Sequence, residues 1–193
     1  MKKSELIIID LQSGIQKLVK HPEPYSFETV VENNKLLMAA FGQAELPIYM
    51  VRVEPKVLPK FLKKQLVGEM LLVEESKKYD TVRDLLKFGP SAFTQSDYGL
   101  EGELKSLGID HVVITGVSTD NGVFHTAKDA KNLGFEITII DDGCSAKAVE
   151  NHNEAIKKMK EISLKIMRTN DFLSKNNGPS PKLVVDHLNF PIR

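Results

Sequence analysis

The sequence predicts an α/β fold with a doubly wound, mainly parallel sheet, a Rossmann-like three-layer αβα arrangement. Two observations carry this. Short, continuous apolar runs such as LIII (6–9), HVVIT (111–115) and FEITII (135–140) suit strands buried on both faces. Stretches of helical periodicity stand between them, and strands that alternate with helices become parallel neighbours joined by right-handed crossovers.

The elements follow in order. The first strand ends at Asp10. Between Glu28 and Ala44 the apolar residues Val30, Val31, Leu36, Leu37, Ala40 and Phe41 recur at roughly helical spacing, and Pro47 opens IYMVRV as a second strand. Residues 54–90 mix prolines, charges and short apolar pieces without one period, so they read as insertion and loop with a short helix at most. SDYGLEGELKSLG (96–108) reads as a helix ended by Gly108, HVVIT as a strand, and NGVFHTAKDAKNLG (121–134) as a helix ended by Gly134. FEITII, the helix VENHNEAIKKMKEIS (149–163) and a last strand LKIMR (164–168) complete the pattern.

A chain of 193 residues with 41% hydrophobic content builds one substantial core, so we expect one domain over 1–193, its core at about 5–170. The tail, residues 171–193, carries turn signals and then an apolar piece suited to packing on its own domain or at a subunit interface. Lys plus Arg and Asp plus Glu both count 26, so no net field draws the chain to nucleic acid or an anionic membrane; a small-molecule substrate is the expected partner. No segment approaches the ~20 apolar residues that span a bilayer, and MKKSELIIID lacks a leader pattern, so the expected location is cytoplasmic. The one cysteine, Cys144, permits neither an intramolecular disulfide nor a cysteine-based zinc site.

In such a sheet, ligands sit outside the carboxyl ends of the strands. Asp10 stands at one such end, as a helix or turn cap or as a carboxylate of the active edge. Lys87, leading into a Gly-Pro turn, reads alone as solvated surface and gains meaning only beside Asp10. At the corner ITGVSTDNGVFHTAKDA (114–130), Ser118, Thr119 and Asp120 can cap a helix whose first turn offers unpaired N–H groups to an oxyanion or carboxylate.

These segments, IIIDLQ, KFGPSAF, the corner, and FEITIIDDGCSA with Glu150, His152 and Asn153, together resemble the isochorismatase-like (cysteine hydrolase) superfamily over about residues 5–168. That superfamily includes isochorismatases, nicotinamidases and N-carbamoylsarcosine amidases. The resemblance implies a catalytic Asp at Asp10, a catalytic Lys at Lys87, and a nucleophile position at Gly122, where the usual Cys is replaced by a residue without a side chain. The thioester route of the amidases therefore has no nucleophile at that position. Cys144 lies just beyond the end of the next strand and reads as a small buried hydrophobe.

The resemblance further implies that Gln12, Phe93, Val117, Ser118 and Asn121 bind substrate, with Ser91 and Phe93 supporting the lysine loop and Phe93 either walling the pocket or packing in the core. It implies a non-proline cis peptide at Val117–Ser118 that aims N–H groups of the Asn121–Gly122 turn into the pocket. His125 with Thr126, and His152, read as packing, interface or structural residues. The nicotinamidase metal ligands, an Asp and two His after the second strand, have no histidine counterpart in VRVEPKVLPKF, so no metal and no cofactor are expected. Homo-oligomers, dimers or larger, are the family habit.

Isochorismatases resemble this chain in carrying Gly at the nucleophile position, and they hydrolyse a vinyl ether to pyruvate and a dihydroxy-cyclohexadiene acid. By that analogy the chain is a hydrolase of a small, anionic metabolite, with Asp10 as general acid and Lys87 as electrostatic partner. Gly122 would leave space for substrate or water. A lysine beside Asp10 favours the ionised carboxyl, so substrate carboxylates entering a desolvated pocket would have to restore its proton. Two other readings stand beside this one: a catalytically silent binding or scaffold protein, and an amidase with a different nucleophile.

Overall fold

A computed structural model describes residues 3–54, 56 and 67–176. Six parallel strands form one sheet: β1 (Ser4–Ile9), β2 (Ile48–Val53), β3 (Val82–Lys87), β4 (His111–Val117), β5 (Glu136–Ser145) and β6 (Lys165–Met167), in the order β3-β2-β1-β4-β5-β6. The helices are α1 (Ser13–Val19), α2 (Phe27–Gln43), α3 (Val73–Ser76), α4 (Leu100–Ser106), α5 (Phe124–Asn132), α6 (Val149–Glu161) and α7 (Thr169–Lys175). A π-helical turn, Thr119–Val123, joins β4 to α5.

Side chains alternate along β1, and each set meets its own layer of helices. Ile7 and Ile9 face a core shared with Leu100 and Leu104 of α4, Ala127 and Ala130 of α5, and Met159 of α6. Leu6 and Ile8 face Val30, Leu37 and Phe41 of α2 and Phe172 of α7. β1 is buried along its whole length, which is why LIII is apolar without alternation. α2 starts at Ser26, whose hydroxyl accepts from the Thr29 amide at 3.2 Å, and burying side chains such as Leu37 and Phe41 contributes about 1.5–3 kcal/mol each.

Three readings are corrected, and the described part of the tail takes one of the two settings expected for it. The stretch 54–90, read as insertion and loop with one short helix, contains that helix, α3, and also the edge strand β3, whose exposed Arg83 and Asp84 disguise it; the part of this stretch at 55 and 57–66 lies outside the described residues. α1 was not expected, because SGIQKLV has no side-chain cap at Gln12 and ends at Lys20 in a left-handed conformation. β5 runs to Ser145, because a register shift between Ile114 and Gly116 lets DDGCS continue along β4. The first part of the tail forms α7, whose Phe172 stacks on Phe41 at 6.0 Å within the same chain; its remainder, 177–193, lies outside the described residues. Helix starts also differ: α4 begins at Leu100 after Gly99 in the left-handed region, and the 121–134 helix begins in the π-helical turn. Among the described residues no helix is long and apolar enough to cross a membrane.

One core position is costly. Glu5 on β1 is fully buried, and neither carboxyl oxygen has a hydrogen-bond partner among the described residues. Burial pushes its pKa well above the usual carboxylate range, and the nearby Glu103 adds to the shift. A raised pKa in the folded state means stability that is full at acid pH and is lost as pH rises through the folded value. In melting curves across pH, Glu5→Gln should therefore gain on the parent chain as pH rises; a Tm difference that stays flat from acid to alkaline pH would contradict the assignment.

Candidate active site

The strand order reverses between β1 and β4, so a crevice opens where their carboxyl ends part. Three chain segments deliver side chains there. Asp10 follows β1, the corner turn follows β4, and Lys87 closes β3, in register with Val53 of β2. Asp10 adopts a left-handed backbone (φ 51°) while its amide still bonds to Val51 O at 2.9 Å. A non-glycine residue in that region carries strain of order 1 kcal/mol, here at the residue that meets Lys87.

Lys87 is 1% exposed and its Nζ reaches Asp10 Oδ2 at 2.7 Å, Gly89 O at 3.1 Å and Pro90 O at 3.1 Å. All three ammonium donors are thereby used. Asp10 Oδ1, also buried, has no hydrogen-bond partner among the described residues. Burial raises the Asp10 pKa to about 6, against the opposing pull of Lys87. Desolvation by the chain itself thus already works against the ionising pull of Lys87, before any substrate carboxylate enters.

Gly122 faces this pair. A Cβ built on it would lie 3.1 Å from Asp10 Oδ2, 3.4 Å from Lys87 Nζ and 2.8 Å from Ile9 Cγ2. The Gly122 position is therefore backed by the ion pair and already crowded by Ile9, which corrects the expectation of free space for substrate at Gly122 itself. Gly116 has the same function one strand-end earlier: with φ 114°, its Cβ would sit 2.0 Å from Ile9 O, so only glycine lets β4 close on β1 there. The open space lies alongside, a cavity of about 320 Å³ bordered by Asp10, Lys87, Val53, Phe88, Val117 and Asn121.

Of the predicted binding residues, Val117, Ser118 and Asn121 line this cavity. Gln12 does not: it is fully buried, donates to Val67 O at 3.0 Å and accepts from the Val53 amide at 2.9 Å, clamping the end of β2. Phe93 packs against Phe135 at 5.7 Å in the core. Ser91 supports the lysine loop, accepting from the Phe93 amide at 3.3 Å. Thr126 accepts from the Ala92 amide at 3.2 Å, and His125 is exposed beside Phe124. Cys144 is buried, pairs in register with Gly116, and burial pushes its thiol pKa far up, away from thiolate chemistry.

The corner differs in detail from its expected form. The Val117–Ser118 peptide is cis. The Asn121 amide, expected to point into the pocket, bonds to Ser118 O at 3.1 Å, as does the Val123 amide at 3.2 Å. The hydroxyls do not cap the helix: Ser118 bonds to Asp120, and Thr119 to His152. Sequence reasoning missed the apolar wall supplied by Ile15, Leu18 and Val19 of α1, although Leu18, 61% exposed at the cavity, keeps helical spacing with Ile15.

Family and fold have counterparts among known proteins. Residues 4–171 match the isochorismatase domain family. YecD, an uncharacterized isochorismatase family protein of Escherichia coli O157:H7, is 33% identical over 166 residues, covering 80% of this chain and 86% of its own. In structure, an isochorismatase-family hydrolase fold from Chromobacterium violaceum superposes with a TM-score of 0.78 at 23% identity, covering 92% of this chain and 95% of that one. A nicotinamidase of Staphylococcus aureus superposes with a TM-score of 0.72 at 20% identity, covering 87% and 99%.

Two outcomes are expected at the site. Followed by carboxyl ¹³C NMR and identified by its loss in Asp10→Asn, Asp10 should titrate near pH 6, and Lys87→Met should move the midpoint higher by removing the charge that favours ionisation; a midpoint near 4 in the parent chain would contradict the burial argument. Gly122→Ala should displace Ile9 and cost about 1–3 kcal/mol of stability in denaturant unfolding, whereas an unchanged midpoint would show the space to be open.

Proposed function

The chain belongs to the isochorismatase family of hydrolases, and we propose from that premise that it hydrolyses a vinyl ether of the isochorismate type without a covalent enzyme intermediate. The observation that carries this reading is the Asp10 carboxyl, which is buried, unpartnered at Oδ1 and poised near pH 6, beside a nucleophile position that has no side chain. Chemistry that begins with proton delivery suits such a site. Chemistry that begins with thiolate attack does not.

In the proposed cycle the Asp10 carboxyl, which borders the cavity, gives its proton to the vinyl methylene carbon. The electron pair of the C=C bond forms the new C–H bond, and the ether-bearing carbon becomes an oxocarbenium centre. Water adds to that carbon, loses a proton back to the Asp10 carboxylate, and the hemiketal collapses to pyruvate and the free alcohol. Lys87 stabilises the carboxylate formed midway and holds its orientation through Gly89 O and Pro90 O. The cavity alongside, of about 320 Å³, suits a small metabolite.

A dehydrogenase-coupled assay of pyruvate release from isochorismate tests this. Because the acid must carry its proton, kcat should fall as pH rises through about 6. Asp10→Asn and Lys87→Ala should each lower turnover by about 10²-fold or more. Binding of small acids without any pyruvate release would overturn the vinyl-ether reading and leave the fold assignment intact.

A further inference from the structure

The corner turn is held from behind by a chain of side chains that the proposed chemistry does not use. Thr119, fully buried at the start of the turn, places Oγ1 2.9 Å from His152 Nδ1. His152, 2% exposed on α6, places Nε2 3.0 Å from Asp141 Oδ1 on β5. Asp141 Oδ2 accepts from Tyr25 OH at 2.7 Å, and Arg168 donates to the same phenol oxygen at 3.1 Å. Although burial pushes the Asp141 pKa up, its hydrogen bonds from His152 and Tyr25 bring it below the ordinary value, so it is an ionised acceptor. The carboxylate therefore takes the Nε2 proton, and Nδ1 is left to accept from the Thr119 hydroxyl, an assignment that follows from the bonding network.

This polarity matches the hydroxyl–imidazole–carboxylate order of a nucleophilic triad. Burial rules out that use: the Thr119 side chain is fully covered and does not border the cavity. The same helix takes hold of the next residue too, since Asn151 donates to Asp120 at 2.9 Å. Two successive residues of the turn are thus fixed to α6, and the turn in question is the one that lays Gly122 against Asp10 and Lys87.

We infer that the Thr119–His152–Asp141 relay is a positioning device for the reacting pair: it presses the corner turn onto Asp10 and Lys87 and so keeps water off the carboxyl. Thr119 and His152 are positioning residues, since neither touches the pair. The inference rests on Asp10 as the acid of the site but not on any particular substrate. A turn released from His152 lets water reach Asp10, and a hydrated carboxyl beside an ammonium returns to the ordinary acid range.

The test reads the Asp10 carboxyl directly by ¹³C NMR titration of the full chain, so that failure of the vinyl-ether chemistry cannot be mistaken for failure of the relay. Thr119→Val keeps the shape and removes the donor; His152→Gln keeps a donor for Asp141 at the Nε2 position and takes the acceptor away from the Nδ1 position that Thr119 meets. Each should move the Asp10 midpoint down by about one pH unit, the double variant should move it no further than either single, and Thr119→Ser should restore the parent value. Unchanged Asp10 midpoints in Thr119→Val and His152→Gln, with only a lower Tm, would overturn the inference. Should His152→Gln fail to fold, the isosteric Thr119→Val alone decides it.

Discussion

The site depends on one buried ion pair, Asp10 with Lys87, set where β1 and β3 end. In water two such charges hold each other weakly; inside the chain each has lost its hydration, and the pair returns little net stability for that loss. Its value is chemical. Lys87 spends all three donors on Asp10 and two main-chain carbonyls, and the second carboxyl oxygen is buried without a partner among the described residues. A carboxyl so placed has its pKa raised to about 6, above the range of an ordinary aspartate.

The surrounding architecture can be understood as what such a pair requires. A strand order that reverses between β1 and β4 opens a crevice at the carboxyl ends, and the two glycines of β4 and its corner let the backbone approach Ile9 and the pair. Gln12, fully buried, ties the end of β2 to the residues after β1 and so fixes the frame in which Asp10 turns. The turn itself is pinned by α6 and β5 through His152 and Asp141. Close packing transmits small displacements among such elements, which is the basis for inferring that residues remote from the carboxyl influence its hydration.

Much of this was legible in the sequence, and the exceptions have physical causes. The central strands announced themselves because a strand covered on both faces must be apolar throughout, and Asp10 and Lys87 stood out through motifs of a known superfamily. β3 stayed hidden because an edge strand needs only one buried face, and Leu85 and Lys87 supply it while Arg83 and Asp84 meet solvent. Gln12 and Phe93 sit elsewhere than the motif alone suggests because proximity in a motif does not fix side-chain direction: one turns to main-chain groups and the other, partly buried, packs against the core. The relay through His152 joins residues 33 and 11 apart in sequence, a coincidence that only the fold creates.

The most direct test of proton delivery by Asp10 is to run isochorismate turnover in D₂O and examine the pyruvate formed. Protonation of the vinyl carbon in the rate-determining step predicts slower turnover than in H₂O and one deuterium in the methyl group of each new pyruvate. Equal rates in the two solvents, with a methyl group free of deuterium, would contradict it.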